Sequence, residues 1–129
     1  MRILIFLLVV NGLVACNEDF VSLDVTEFNQ KISTDTNIRT AVDLMKLYYP
    51  PPESTEGNQE YVVKSQLNSS GEYEVLLIHD GLLDDSVKAN QFVMKARKEN
   101  KIWTVISLKH RWKCYENRGH TEWGIENCR

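Results

Sequence analysis

The chain predicts an α+β domain in which one main N-terminal helix packs on a four-stranded antiparallel meander sheet, closed by a C-terminal disulfide loop. Three observations carry this reading. A helical apolar stripe runs up to the triple proline Pro50-Pro51-Pro52, four segments rich in β-branched and aromatic residues follow it, and two cysteines, Cys114 and Cys128, stand near the C terminus. Residues 1–15 read as a removable leader, 16–25 as a tether and 26–129 as the single domain, a size sufficient for one hydrophobic core.

The elements follow in order. Asn17 to Asp24 is polar and acidic, which suits a tether. Thr26 to Ile32 forms a helical turn or two, with Phe28 and Ile32 four apart on one face. The main helix is expected from about Thr36 to Tyr48, where Ile38, Val42, Met45 and Tyr49 keep helical spacing and Asp35 or Thr36 caps the start. The prolines end it, because they lack the amide donor and force the preceding residue out of helical geometry. Glu53 to Gln59 reads as an exposed loop.

Tyr61 to Leu67 and Tyr73 to Asp80 flank the turn cluster Asn68-Ser69-Ser70-Gly71 and form a hairpin. Gln91 to Lys98 alternates Phe92, Met94 and Ala96 against Val93, Lys95 and Arg97, the two-residue period of a half-buried strand. Glu99-Asn100-Lys101 turns it into a fourth strand, Trp103 to Trp112, and from Cys114 onward the chain is a loop tied back on itself.

At the N terminus, Met1-Arg2 precedes an apolar run from Ile3 to Val10, and eight such residues fall short of the roughly 20 that span a bilayer. A positive start, an apolar middle and small residues before a cut make a removable secretory signal. Leu13-Val14-Ala15-Cys16 resembles the lipobox of bacterial lipoproteins. That resemblance implies cleavage before Cys16, lipid on its sulfur and an acylated amino group. Asn17 in place of Asp then implies the outer membrane, facing the periplasm, in a cell that has one. Each buried methylene of such an anchor contributes about 0.8 kcal/mol. The competing reading is an ordinary signal followed by a chance Cys.

With Cys16 assigned to lipid, Cys114 and Cys128 form an even pair, expected to be a disulfide in an oxidising envelope. Closing that loop stabilises the fold by about 3 kcal/mol on the chain-entropy model. A metal pair with His110 and His120 is the weaker alternative, because neither thiol sits in a tight CxxC.

From Thr36 to Trp112 the order of elements is similar to the cystatin-like group and the related NTF2-like cones, where a helix lies in a curved antiparallel sheet. The cystatin inhibitory pattern Gln-x-Val-x-Gly is not matched by Asn68 to Gly71, so protease inhibition does not carry over.

Charge divides the chain: Cys16 to Val87 holds 4 basic and 14 acidic residues, Lys88 to Arg129 holds 10 basic and 4 acidic. Such a split suits a basic face for an anionic partner such as lipopolysaccharide, peptidoglycan or an acidic protein. The bland alternative is neutralisation within the fold, since only some of Lys95, Arg97, Lys109, Arg111, Lys113 and Arg118 are expected to share a face. Export and net negative charge argue against nucleic acid.

Two clusters are candidates for function. His79, Asp80, Asp84 and Asp85 combine an imidazole with carboxylates, the ingredients of acid–base chemistry or a hard-cation site, but also of a turn in which Asp84 or Ser86 caps a short helix containing Val87. Trp112, Lys113, Arg118, His120 and Trp123 interleave aromatics with donors around the disulfide, which suits stacking on sugars or a partner, or simply packing the bridge. No motif assigns a catalytic residue, a metal or a cofactor. The expected activity is binding by a membrane-anchored envelope lipoprotein, its partner another envelope protein, a glycan or a small ligand in the sheet's concavity. The alternatives are an NTF2-like pocket enzyme using His79 and Asp80 as an acid–base pair, and an immunity or inhibitor lipoprotein.

Overall fold

The computed structural model describes residues 19–54 and 56–129. The expected leader and the acylation at Cys16 lie outside the described residues. In chain order the elements are β1 (Val21–Ser22), α1 (Thr26–Ile32), α2 (Ala41–Tyr48), β2 (Glu60–Leu67), β3 (Tyr73–Asp80), β4 (Val87–Glu99) and β5 (Ile102–Cys114). The strands form one antiparallel sheet in the order β1-β5-β4-β3-β2, so the meander is present with a fifth strand added at one edge. That strand comes from the stretch expected to be tether: Val21 pairs with His110 and Ser22 with Lys109. Among the described residues no helix is long and apolar enough to cross a membrane.

The helical layer has two short helices in place of one main helix: α1 stands where helical turns are expected, over Thr26–Ile32, and α2 is shorter than expected. α1 lies over β5, and α2 lies over β2 and β3. Helix α2 starts at Ala41, not near Thr36, because Thr40 and Asp43 make a capping box: the Thr40 hydroxyl accepts from Asp43 N at 3.1 Å and the Asp43 carboxylate accepts from Thr40 N at 3.2 Å. Asp35 instead accepts from Asn37 N at 2.8 Å in a turn. The Ile38 carbonyl is taken by the indole N–H of Trp103 at 2.9 Å, so this segment is pinned to the sheet by a side chain. The buried stripe is accordingly Ala41, Leu44 and Met45, with Tyr48 packed against the core.

One sheet face is buried under these helices. Val75 and Leu77 of β3, Phe92, Met94 and Ala96 of β4, and Trp103, Val105 and Leu108 of β5 meet Ile32, Ile38, Leu44 and Met45 in one core. Each large side chain buried there contributes roughly 1.5–3 kcal/mol. Strand β4 begins at Val87 rather than Gln91, which replaces the short helix expected around Val87. Asp84 holds the turn before it by accepting from Ser86 N at 3.0 Å and Val87 N at 2.7 Å.

The β4–β5 ladder has an irregularity with large consequences. Lys95 opposes Ser107 whereas Ala96 opposes Val105, so Ile106 is an extra residue, a β-bulge. Before it the inward residues of β5 are Trp103 and Val105; after it they are Leu108, His110 and Trp112. The bulge therefore turns Lys109, Arg111 and Lys113 onto the outer face, together with Lys95 and Arg97 of β4.

The two edges of the sheet are treated differently. Along β5, β1 pairs with His110 and Lys109, Leu23 N donates to Leu108 O at 2.9 Å, and the Asn29 amide both donates to Val105 O and accepts from Val105 N. Gly124 then bridges Trp112 in both directions, at 2.9 and 3.0 Å. Along the far edge of β2, among the described residues, no backbone hydrogen bond is made to anything but β3.

Asn100 and Lys101 form the two-residue turn of the long hairpin at φ 50° and 67°. Both angles are left-handed, the geometry that matches strand twist but strains a side-chain-bearing residue. Replacing Lys101→Gly is expected to stabilise the domain by roughly 0.5–1 kcal/mol, measured as a raised midpoint in urea unfolding with an unchanged slope.

Candidate functional site

On the inner face, Tyr61, His79, Asn90 and Trp112 occupy one transverse row across β2, β3, β4 and β5, and Phe92 and His110 stand in the next. Tyr49, the residue after α2, lies over them. The hydrogen bonds here have a direction that the amides determine. Gln59 uses its Nε2 to donate to the carbonyls of Ser54 at 3.3 Å and Glu56 at 2.9 Å, so its Oε1 accepts from His79 Nε2–H at 3.0 Å. His79 Nδ1 then carries the lone pair and accepts from the Tyr49 hydroxyl at 2.9 Å. Asn90 donates to the Tyr49 oxygen at 3.4 Å, and its Oδ1 accepts from His110 Nε2–H at 2.8 Å. The result is a one-way relay from His110 to Gln59. Burial pushes the His79 imidazole below its ordinary value of 6.5, with Asp80 only partly opposing, and burial does the same at His110. Burial thus favours the neutral form of both rings, and at His79 that is the form whose Nδ1 can accept from Tyr49.

The relay borders a shallow open depression of about 660 Å³ lined by Ser86, Asn90, His110, Trp112 and Asn127. His110 is stacked on Phe92 at 4.3 Å and lies 5.0 Å from Trp112. Among the described residues every buried side-chain nitrogen and oxygen has a partner.

The acidic cluster read from the sequence is dispersed. His79 and Asp80 are successive strand residues and point to opposite faces. Asp80 accepts from Lys88 Nζ and Gly81 N at 2.8 and 2.7 Å, and the Lys88 bond holds its carboxyl below the usual range. Asp84 serves the turn before β4, and Asp85 is exposed.

The aromatic cluster around the disulfide is also divided. Cys114 and Cys128 are bonded, with Cα atoms 5.5 Å apart. One nitrogen of His120 lies with the two sulfurs inside 4.8 Å, but the sulfurs are joined to each other, and the ring nitrogens face the carbonyls of Glu122 and Glu126 at 2.8 Å each. His110, the other residue considered for a metal pair, belongs to the relay. Arg118 donates to Arg129 O at 3.2 Å. His120 and Arg118 thus hold the loop together. Trp112 stays on the inner face and gives its indole N–H to Glu126 O at 3.0 Å, whereas Trp123 and Lys113 are on the outer face.

That outer face carries an arrangement the sequence did not disclose. The Arg111 guanidinium lies 4.4 Å from the Phe20 ring and 5.7 Å from Trp123, and the Lys113 ammonium lies 4.6 Å from Trp123. Arg111 Nε also donates to the nearly buried Gln91. Lys95 and Arg97 approach Glu74 and Glu72 at 3.9 and 3.1 Å, while Lys109 is exposed and makes no ion pair among the described residues. Of the six cations considered for a basic face, five, all but Arg118, therefore share this one. A hairpin register with the bulge at Ile106 in place is the signal that finds them, and it equally brings Asn90 to His110.

Depressed histidines make stability depend on pH in a definite direction. The unfolded chain takes up protons at about 6.5, where the folded rings resist them, so this contribution is complete above that value and lost as pH falls below it. The thermal midpoint is expected to drop between pH 7 and 5, and His79→Gln to make that slope shallower; the lowered Asp80 and Asp84 act only in the carboxylate range beneath. Gly119 adopts φ 144°, and a Cβ there would lie 2.8 Å from Cys114 Sγ. Gly119→Ala is expected to cost about 2 kcal/mol, read by denaturant unfolding of the oxidised protein. Compared with protein-family models, curated proteins and solved structures, the chain matches none.

Proposed function

We propose that the chain is a small envelope lipoprotein, anchored through Cys16, that binds an anionic component of the envelope through the outer face of its sheet. The observation that supports this most directly is the alignment of Lys109, Arg111 and Lys113 along β5 with Phe20 and Trp123 between them. Cations set against aromatic rings keep their charge available while the rings supply stacking area, a combination suited to sugar phosphates and acidic glycans. Position supports the same reading. Phe20 is four residues from Cys16, so a chain extended at about 3.5 Å per residue puts the strip within roughly 14 Å of the anchor.

Binding is favoured over turnover because the residues with acid–base capacity serve one another. His79 has both ring nitrogens engaged, and Asp80 lies on the other side of the sheet in an ion pair with Lys88.

Two measurements test the reading. Cys16→Ser is expected to move the protein from the membrane to the soluble fraction. Retention of the purified chain on immobilised lipopolysaccharide and on insoluble peptidoglycan is expected for at least one of them, weakening with salt. In Lys109→Glu/Lys113→Glu that affinity is expected to fall about tenfold or more, equivalent to about 1.4 kcal/mol. No retention on either, or retention untouched by the double charge reversal, overturns the assignment.

A further inference from the structure

The bare edge of β2 points to a second copy of this chain. Strand β2 is eight residues long and its outer backbone groups have no partner among the described residues, whereas the opposite edge is closed by β1, Leu23, the Asn29 amide and Gly124. An exposed edge of that length is a template for another strand unless charge, proline or a bulge blunts it. β2 contains no proline, and its pairing with β3 is regular from Glu60 to Leu67. Its charges are Glu60 and Lys64, four residues apart on the outer face, and neither makes an ion pair among the described residues.

That spacing selects a register. In an antiparallel pair, directly opposite residues lie on the same face, so a two-fold axis perpendicular to the sheet must pass through a residue of β2. Centred on Val62, it places Glu60 of each copy opposite Lys64 of the other, forming two equivalent ion pairs, with Tyr61 opposite Val63 on the inner face. Centred on Val63, it sets Val62 against Lys64; centred on Lys64, it sets two ammonium groups together. Opposite charges directly across an antiparallel pair stabilise it, and like charges destabilise it. Val62 is 44% exposed and lines an apolar groove with Leu76 and Ile78. Side by side with its symmetry mate it is covered, and the two grooves become continuous.

We propose that the protein forms a symmetric dimer by antiparallel pairing of β2 with β2 of a second copy, centred on Val62, giving a ten-stranded sheet. This does not depend on the anionic-partner reading, since the cation strip on β5 lies toward the opposite edge of the sheet.

Sedimentation of the purified full chain in detergent, followed against protein concentration, tests it. A concentration-dependent dimer is expected. Glu60→Lys and Lys64→Glu are each expected to weaken it about tenfold, and the exchanged pair Glu60→Lys/Lys64→Glu to restore it to within about threefold of the original. Val62→Cys is expected to crosslink on oxidation, because paired residues at the axis bring their Cα atoms within disulfide range, whereas Gln66→Cys is not. A monomer at every concentration up to about 1 mM, a dimer indifferent to both single reversals, or equal crosslinking by the two cysteines overturns the proposal.

Discussion

The domain is organised around the ladder between β4 and β5, and the phase of β5 in that ladder depends on one extra residue. Side chains alternate along a strand, so the phase of the alternation decides which residues meet the core and which meet solvent. Ile106 resets that phase halfway along β5. Upstream, Trp103 and Val105 sit beneath the helices, and Trp103 holds the Ile38 carbonyl. Downstream, Leu108 continues the core and His110 and Trp112 continue the same face, while the lysines and arginine between them turn outward. Without the bulge the register set by Ala96 and Val105 would turn Lys109 inward opposite Phe92, with Arg111 and Lys113 following on the same face, at a desolvation cost.

The same phase separates two kinds of chemistry. Inward residues form a closed polar network: each donor in the run from His110 to Gln59 is answered by an acceptor, and the direction of the bonds requires a neutral ring at His79, whose Nδ1 accepts. A network satisfied in this way rigidifies the end of the sheet. Outward residues form an open one, where cations lie against Phe20 and Trp123 and keep access to solvent. One strand thus supplies a hydrogen-bonded inner row and a cationic outer row, each with a period of two residues.

Much of this was legible in the sequence and some was not, for physical reasons. The hairpins, the proline stop after Tyr48 and the alternation from Phe92 to Ala96 are local signals, and each stands where the residues put it. The helical stripe extends upstream of the helix because Ile38 falls on it; the capping box of Thr40 and Asp43 starts the helix later, and a tertiary bond from Trp103, which no local pattern encodes, holds the Ile38 carbonyl. Thr40 and Asp43 do spell a cap, but four residues into a stripe that already reads as helix. β1 was missed because two residues paired to a distant strand carry no periodicity. The disulfide was readable from the cysteine count, whereas the cluster at His79 and Asp80 misled because neighbours in sequence are opposed in a strand. The cation face was half-read: its residues were named, and the bulge that unites them was not.

The first strand has a mechanical consequence. A pull on the chain from its upstream end reaches β1 before any other element, and β1 offers a two-residue ladder and the bond from Leu23 to Leu108. Beyond those links the segment is held by Leu23 and Val25, which pack against the core, far less than joins the two thirteen-residue strands of the β4–β5 hairpin. Releasing 19–25 would lengthen the free upstream chain by roughly 25 Å at about 3.5 Å per residue.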